Sequence, residues 1–588
     1  TLQAAGNTTI DAGTQLTNHR GNIVAGQAAT VSAATLDNSA GTLQATQLSL
    51  GATNLVNHAG TITQTGTGSM RVAVLGLLDN SAGGTLQTNS VDLTLAPSML
   101  DNHGGTITHA GAGALTVNAG NGTGTISNAG GKITSNGQVV ARARSLDNAA
   151  GLIMGQTGLT ATLGGAVDNA NGKLLSNTDL TLTSDTLAND GGEIGAGTNE
   201  TIRTGSLTNK GGAIVAPNLS LTTNATLNNS GGNVKANQLA LSATHLLNHG
   251  GTITHYGASP MTIDVRHTLD NSAGGTIQSH AQDLTLAPTL LNNSGGKILA
   301  SGTGRLTIAP GNGAGTLLNA GGEIIAGGQL ALNVGSLNNL AGMLAARGNA
   351  TAKVSGDVNN TQGVVRSLAS LSVIGGSALD NTNGRIQSGA DGDDSTLAVQ
   401  VASIDNTRGL IGNLGTGDAT IQGGTRVVNG AGAITGNGRV ALSASTISNT
   451  LGGQLSGATV SIDADTLDNT GGGIGNLSGS RGDVAIKTAG ALTNTSGQIG
   501  ATNDLNVTAA TLAGGGAYGA AHDVAVNVEG DFAMTPTLKL AAGHELAITL
   551  SGTFTNDTRV EAVENLNITA GDIANSGAMM AGGTLTTH

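Results

Sequence analysis

The sequence predicts an all-β fold, a right-handed parallel β-helix (β-solenoid) with three short strands in each coil of about 20 residues. Three observations support this prediction. Apolar and polar residues alternate in short runs, an aliphatic-x-Asn phrase recurs throughout, and the 588 residues include 96 Gly but only 6 Pro. A solenoid grows by adding coils without widening its core, so the chain length does not set a number of globular domains.

The stretch 227–244 shows the alternation most clearly. Its three runs place the following residues on one face: Leu227 and Asn229, then Val234 and Ala236, then Leu239, Leu241 and Ala243. A period of two is typical of strands, because successive side chains of a strand point to opposite sides. Turn residues at 230–232 and 237–238 separate the runs. Each run is too short to be stable alone, so we expect the coils to stack.

An asparagine stands two residues after an aliphatic residue in most of the predicted coils, at intervals of about 20 to 26 residues. Stacked coils bring these amides together, and we expect them to form a ladder of hydrogen bonds. A buried amide without partners costs roughly 1–3 kcal/mol. The glycine that follows is expected to allow a tight or left-handed corner. The predicted ladder includes Asn38, Asn57, Asn148, Asn169, Asn189, Asn209, Asn229, Asn248, Asn339, Asn449 and Asn469.

The organisation of the chain follows from this repeat. Residues 1–511 are predicted to be repeat β-helix, with an internal duplication of about 17–171 in 208–362, offset by 191 residues (57 to 248, for example). Residues 512–553 are interpreted as variant coils, because Gly514 stands where Asn is expected. Three of the four aromatic residues, Tyr518, Phe532 and Phe554, lie in or beside this segment. Residues 554–588 resume the β-helix and stop within a repeat, so we expect a fragment of a longer chain.

Composition excludes several classes of function. A net charge of −13 without clustered Lys and Arg argues against nucleic-acid binding. The chain has no apolar run long enough to predict membrane insertion. The absence of cysteine excludes disulfides. A β-helix enzyme that degrades polysaccharides remains a less favoured alternative, because such enzymes need carboxylate pairs and usually aromatic platforms, and this chain has no Trp. We therefore predict no catalytic, cofactor-binding or metal site.

Three local motifs were weighed against simpler interpretations. The segment 391–394 (Asp-Gly-Asp-Asp) offers oxygen ligands for calcium but lacks the spacing of an EF-hand, so a solvated loop is favoured. The text His-Gly-Gly-Thr-Ile-Thr-His places His103 with His109 and His249 with His255, which offers a metal pair as one alternative. His58, His103 and His249 stand at the turn after the Asn, where a polar outward side chain is expected, so turn residues are favoured. Thr-Ile-Thr triplets such as 61–63 suggest an ice-binding face, but most coils lack them.

The phrase L-x-N-x-x-G-x-[ILV]-x-A-x-x-x-L-x-L, as in residues 227–241, resembles the haemagglutinin repeats of the filamentous haemagglutinin family. This family comprises large bacterial exoproteins of two-partner secretion, including adhesins and the CdiA-type contact-dependent growth-inhibition toxins. The resemblance implies a filament that a partner outer-membrane transporter barrel exports and that is secreted to the bacterial cell surface, where it meets a target-cell or host-cell receptor.

The function expected from this resemblance is that of an elongated shaft acting in cell–cell or host-cell adhesion. The alternative is the shaft of a contact-dependent inhibition toxin, which presents a distal receptor-binding region and a C-terminal toxin. Within the adhesin interpretation, the tripeptide Arg481-Gly482-Asp483 resembles an integrin ligand, and Gly475–Ser480 before it suggests an exposed loop. Short motifs also arise by chance in so glycine-rich a chain.

Overall fold

The computed structural model describes residues 1–477 and 479–588, so Ser478, in the predicted loop before Arg481, lies outside the described residues. Short strands and turns make up the described chain, which contains no α-helix; its only helical elements are the 3-10 turns Ala119–Gly122 and Pro310–Gly313. No helix among these residues has the length and apolarity needed to cross a bilayer. The chain divides into two compact units, Thr1–Pro288 and Thr289–His588.

The first unit is a parallel β-solenoid with three strands in each coil. Two successive coils consist of the strands Ser145–Asp147, Leu152–Gly155 and Gly158–Leu163, followed by Ala166–Asp168, Lys173–Ser176 and Leu180–Ala188. The last of these strands continues into the first strand of the next coil. Each strand pairs in parallel with its equivalent in the next coil, in the registers Leu146–Val167, Ile153–Leu174 and Leu159–Leu180. Residues about 21 apart in the sequence therefore lie next to each other on the sheets.

Some coils of the first unit keep strand geometry through a corner. The strands Asn22–Asp37, Thr42–Val56 and Asn233–Leu247 each join two or three of the short runs. In the last of these, Val234 and Leu241 are at most 1% exposed, as is Leu227 in the strand before it. The alternation predicted for 227–244 is therefore confirmed, with the Asn237-Gln238 break bridged by continuous strand.

The second unit repeats the same architecture. Two of its coils consist of Ser336–Asn338, Met343–Ala346 and Ala350–Val354, then Val358–Asn359, Val364–Ser367 and Leu371–Gly375. Their parallel registers are Leu337–Val358, Leu344–Val365 and Ala350–Leu371. The predicted parallel β-solenoid is confirmed, and its right-handed sense stays a prediction.

Both cores are stacks of aliphatic side chains in equivalent positions of successive coils. Leu50 and Leu241 of the first unit and Leu344 and Ile411 of the second are at most 1% exposed. Burying one such side chain stabilises the fold by roughly 1.5–3 kcal/mol. Because a coil is too thin to bury these side chains alone, the stabilisation depends on its neighbours.

Residues 512–553 continue the solenoid with altered side chains. The strands here are Thr511–Ala513, Gly516–Ala520, Val524–Val528, Phe532–Met534, Leu538–Ala542 and Glu545–Leu550. Phe532 and Phe554 occupy equivalent buried positions of successive coils, with ring centroids 6.1 Å apart. The division of the chain at 511 and 553 remains a proposal, based on these side chains and on the absence of ladder asparagines.

Candidate functional site

The recurrent asparagines lie inside the solenoid, one above another. In the first unit the side-chain Nδ2 of each donates to Oδ1 of the next at 2.6 or 2.7 Å. The members of this series are Asn18, Asn38, Asn57, Asn80, Asn102, Asn128, Asn148, Asn169, Asn189, Asn209, Asn229, Asn248 and Asn271. In the second unit the distances are 2.6–2.8 Å. That series consists of Asn293, Asn319, Asn339, Asn360, Asn381, Asn406, Asn429, Asn449, Asn469 and Asn494.

Asn229 shows how one member is satisfied. Its Oδ1 accepts from Asn209 and its Nδ2 donates to Asn248, both at 2.7 Å. The same Nδ2 lies 3.3 Å from the carbonyl oxygens of Gly232 and Thr252, in its own coil and the next. The buried amide therefore keeps partners on both sides, which offsets the cost of removing it from water. Because an amide does not titrate, the ladder holds the coil register without offering acid–base chemistry.

The corner after each ladder asparagine combines two different requirements. The second residue after the asparagine is left-handed, as at Ala40 with φ +52° and Gly231 with φ +64°. In most coils the third residue, such as Gly232, has ordinary φ, but a Cβ there would lie 2.0 Å from the carbonyl oxygen of Asn209 in the preceding coil. After Asn80, Asn271 and Asn449 a second left-handed residue intervenes, and the close approach falls on the fourth residue. The sequence predicts both effects at one glycine. The structure corrects this prediction, because the close approach excludes a side chain at Gly232 but not at the left-handed Gly231.

Non-glycine residues often occupy the left-handed position. They are Arg20, Ala40, Ala59, Ala82, Ala150, Asn171, Ala273, Ala341, Gln362, Asn383, Arg408, Ala431, Leu451 and Ser496. A left-handed residue with a Cβ costs roughly 1–2 kcal/mol, which the surrounding coil contacts must offset.

A second corner of the coil carries several longer loops, and we name it the loop corner. It follows the strands that end at Gln64, His255, Ser388 and Asn413, and its loops are 65–70, 256–261, 389–396 and 414–418. Residues 479–483 lie at the same corner, after the strand that ends at Asn476. By contrast, only two residues separate Gly155 from the next strand at Gly158. The loop corner is where the solenoid presents irregular surface, which is the usual place for recognition on a rigid scaffold.

Buried polar side chains that the sequence pattern did not predict hold several of these loops. Gln64 accepts from the backbone N–H of Leu48 at 2.8 Å and donates to the carbonyl oxygen of Gly66 at 3.1 Å. Asn413 donates to the carbonyl oxygens of Ser395 and Gly417, both at 2.8 Å. These side chains provide the backbone of a loop with partners that a two-residue turn does not need.

The predicted attachment motif lies at the loop corner, against the following coil. Arg481 Nε donates to Asn503 Oδ1 at 3.2 Å, and Asn503 Nδ2 donates to Asp483 Oδ1 at 2.8 Å. Gly482 is buried, and its N–H donates to Thr502 Oγ1 at 2.9 Å. Arg481 and Asp483 are exposed, but one asparagine holds both side chains close to the solenoid wall. Their use in attachment stays a hypothesis.

The acidic segment 391–394 is a surface loop organised by its own hydrogen bonds. Asp393 Oδ2 accepts from Ser395 Oγ at 2.7 Å and from the backbone N–H of Ala390 at 3.0 Å. The hydrogen bond from Ser395, followed by that from Ala390, holds the pKa of Asp393 below its usual range. The carboxylate is thus already occupied in closing the loop.

The first histidine pair divides between surface and core. His103 is exposed beside Asp101, with Nδ1 2.8 Å from Oδ1, and the hydrogen bond with this carboxylate raises the pKa of His103. His109 is fully buried, with Nδ1 2.8 Å from Ser135 Oγ and Nε2 2.9 Å from the carbonyl oxygen of Ser90. His103 therefore lies at the turn where the sequence predicts it, whereas His109 lies at an inward strand end.

The second pair repeats this division. His249 lies beside Asp270, with Nε2 3.0 Å from Oδ2, whereas His255 is fully buried at the loop corner. Burial lowers the pKa of His255, with a further contribution from His280. The neutral imidazole is therefore favoured at His255, and it is inward rather than part of a turn.

One buried carboxyl group was also not predicted from the sequence. Glu200 is 1% exposed and stands in register between Leu180 and Leu219, in a column that is otherwise aliphatic. Neither carboxyl oxygen has a hydrogen-bond partner among the described residues. Burial raises the pKa of Glu200 to about 8, so the group is mostly protonated at neutral pH. Glu200 lies one coil away from each of these leucines in the sequence, and this spacing is the signal that could have revealed its buried position.

Comparison with known proteins identifies the repeat. The haemagglutinin repeat pattern matches residues 3–90, 110–171, 153–231, 204–278, 261–362, 414–496, 473–534 and 533–588. The chain belongs to the haemagglutinin-repeat family. The predicted family is confirmed, and with it the assignment of this segment as a haemagglutinin-repeat β-helix.

A curated relative of this haemagglutinin-repeat chain is the tRNA nuclease CdiA-2 of Burkholderia pseudomallei (strain 1026b). The two are 50% identical over 591 residues, which cover 99% of this chain but 19% of that protein. No solved structure matched the chain.

Proposed function

We propose that this segment is part of the shaft of a CdiA-type contact-dependent growth-inhibition exoprotein. The observation that carries the proposal is the 50% identity with CdiA-2 along 99% of the chain. Of the two functions expected from the sequence, the adhesin shaft and the alternative inhibition-toxin shaft, this similarity favours the alternative. The shaft would present a receptor-binding region and a toxin that lie elsewhere in the longer protein.

The haemagglutinin-repeat segment has a structural role in this proposal. The coils are joined by backbone ladders and asparagine amides, which provide stiffness and register rather than reactive groups. We infer that the nuclease activity in the relative's name resides outside the region that matches this chain. The proposal further includes export through a partner outer-membrane transporter and display on the bacterial surface. A chain without cysteine suits export in an unfolded state.

The shaft role is tested by deleting coils within the full-length protein. Removing residues 210–229 takes out one whole coil of 20 residues and leaves Asn209 in register to donate to Asn248. Removing residues 210–219 takes out half a coil and breaks the register. We expect the whole-coil variant to keep surface display and inhibition of neighbouring cells, and the half-coil variant to lose display.

Growth competition and surface labelling of intact cells provide the two measurements. Loss of inhibition in a whole-coil variant that is displayed normally would show that these coils hold a specific site instead of serving as a spacer. Attachment to target cells without any growth inhibition by the full-length protein would favour the adhesin interpretation.

A further inference from the structure

Three side chains with metal-ligating atoms come together on two successive coils of the second unit. His522 and Asp523 precede the strand Val524–Val528, and His544 precedes the strand Glu545–Leu550 that pairs with it. The two imidazole rings stack with centroids 4.7 Å apart and planes inclined by 11°. One ligand atom from each of the three residues lies within 4.8 Å of the others, the only such group of three or more within 1–477 and 479–588.

The Asp523 carboxylate already bridges both imidazoles. Its Oδ1 lies 2.8 Å from His544 Nδ1, and its Oδ2 lies 3.2 Å from His522 Nδ1. Further carboxylates flank the group, since Asp504 Oδ1 is 3.0 Å from His522 Nδ1 and Glu564 Oε2 is 3.4 Å from His544 Nε2. The three central side chains are 38–47% exposed, so an ion can reach them from solvent and the side chains can rotate.

We propose that His522, Asp523 and His544 form a surface binding site for a divalent transition-metal ion such as Zn²⁺. Two imidazole nitrogens and one carboxylate oxygen are a donor set typical of zinc and unsuited to calcium or magnesium, which prefer oxygen ligands. Tetrahedral zinc with bonds of about 2.0 Å places its ligand atoms about 3.3 Å apart. Small rotations of exposed side chains bring the present atoms to that spacing, and water or Asp504 completes the coordination.

The position of the site suggests what the ion would do. The asparagine ladder stops at Asn494, and the equivalent positions in the next two coils are Gly514 and Met534. An asparagine returns at Asn556, which is in register with Met534 and donates to Asn575 at 2.8 Å. An ion held by His522 and His544 ties together coils that lack the amide ladder. The site therefore acts as a metal clamp across this interruption.

Calorimetric titration of the 588-residue chain with ZnCl₂ at pH 7.5 tests the proposal. We expect one ion to bind at this site in the wild type. The double variant His522→Ala/His544→Ala should bind zinc there at least tenfold more weakly. Asp523→Asn should weaken binding while leaving both imidazoles in place. The matched control is His245→Ala/His267→Ala, which removes another stacked pair, with centroids 5.5 Å apart, that belongs to no such three-residue group in the described chain.

Thermal unfolding of the same proteins separates binding from folding. All variants should give the wild-type β-sheet circular dichroism in metal-free buffer, because the altered side chains are on the surface. Zinc should raise the unfolding temperature of the wild type and the control, but not that of His522→Ala/His544→Ala. Equal zinc affinity in the wild type and in both site variants would overturn the proposal, as would loss of binding in the control alone.

Discussion

At the scale of single residues, buried polar groups decide how coils stay in register. A ladder asparagine satisfies its neighbours in both directions, so its removal affects three coils at once. Asn229, for example, joins Asn209 to Asn248 through hydrogen bonds of 2.7 Å. The aliphatic residue two positions earlier contributes buried apolar surface, whereas the amide hydrogen bonds fix the alignment of successive coils.

Replacing Asn229 with Ala should therefore destabilise its coil far more than a surface change. The substitution leaves the Asn209 amide and the Asn248 carbonyl oxygen each short of a partner, at a cost of about 2–5 kcal/mol in total. Hydrogen exchange of the strand Asn233–Leu247 measures this loss locally, which suits a solenoid that opens in segments. Asn224→Ala, at an exposed position of the same coil, is the control. Equal protection in both variants would contradict the role given to the ladder.

Glu200 predicts an unusual dependence of local stability on pH. Its pKa is about 8 in the fold against 4.5 in the unfolded chain, so between these values only the folded state holds the proton. Stability therefore falls as pH rises from about 4.5 to 8, by about 1.4 kcal/mol for each unit, and the loss is complete above pH 8. Glu200→Leu, which continues the column of Leu180 and Leu219, should abolish this slope.

Hydrogen exchange of the strand Asn199–Thr208, corrected for intrinsic rates, measures the effect. Glu200→Gln is the matched control, since it removes the titration but keeps a buried polar group. A wild-type opening free energy that stays constant from pH 5 to 8 would rule out the protonated carboxyl.

At the scale of the element, the corner after the ladder asparagine places its conformational requirement and its steric requirement on two different residues. Gly231 is left-handed, and a Cβ there meets open surroundings, with the nearest atom 3.8 Å away. Gly232 has no conformational requirement, but it passes so close to Asn209 that a side chain cannot be inserted. Alanine replaces glycine at the left-handed position in many other coils, which agrees with this division.

The adjacent substitutions Gly231→Ala and Gly232→Ala therefore form a matched pair. We expect Gly231→Ala to cost roughly 1–2 kcal/mol, the usual penalty of a left-handed alanine. Gly232→Ala should cost several times more, because the coils must separate to relieve a 2.0 Å approach of Cβ to the Asn209 oxygen. Thermal unfolding and hydrogen exchange of 226–247 compare the two. Similar effects of both changes would show that conformation alone governs the corner.

The elements also show how far the sequence can be interpreted. The three runs of 227–244 were predictable because one face of each is buried against identical neighbours, which imposes alternation everywhere. The loop corner was not predictable, since the sequence around a strand-end residue such as Asn413 does not show whether its side chain points inward or outward. His522 and His544 are 22 residues apart, and this interval of one coil was the available signal for their stacking.

At the scale of the whole molecule, the haemagglutinin-repeat chain is an assembly of interchangeable coils. Coils of 19 residues, such as Thr42 to Thr61, and of 26 residues, such as Thr106 to Lys132, advance by the same single strand spacing. Extra residues enter the corner loops and leave the ladders unchanged. This tolerance is what the proposed duplication of 17–171 in 208–362 requires, and it underlies the proposed role as a shaft.

The central claim is that side chains one repeat apart lie directly above one another. Pulsed EPR between nitroxide labels tests it most directly, because the chain has no native cysteine to interfere. Labels replace Thr42, Lys132 and Asn233, which belong to one outward column of the first unit.

Four coil steps separate Thr42 from Lys132, and five separate Lys132 from Asn233. At about 4.8 Å for each step, the two distances should be about 19 and 24 Å, and that from Thr42 to Asn233 should be their sum, about 43 Å. A distance from Thr42 to Asn233 well short of that sum would contradict the stacked-coil account.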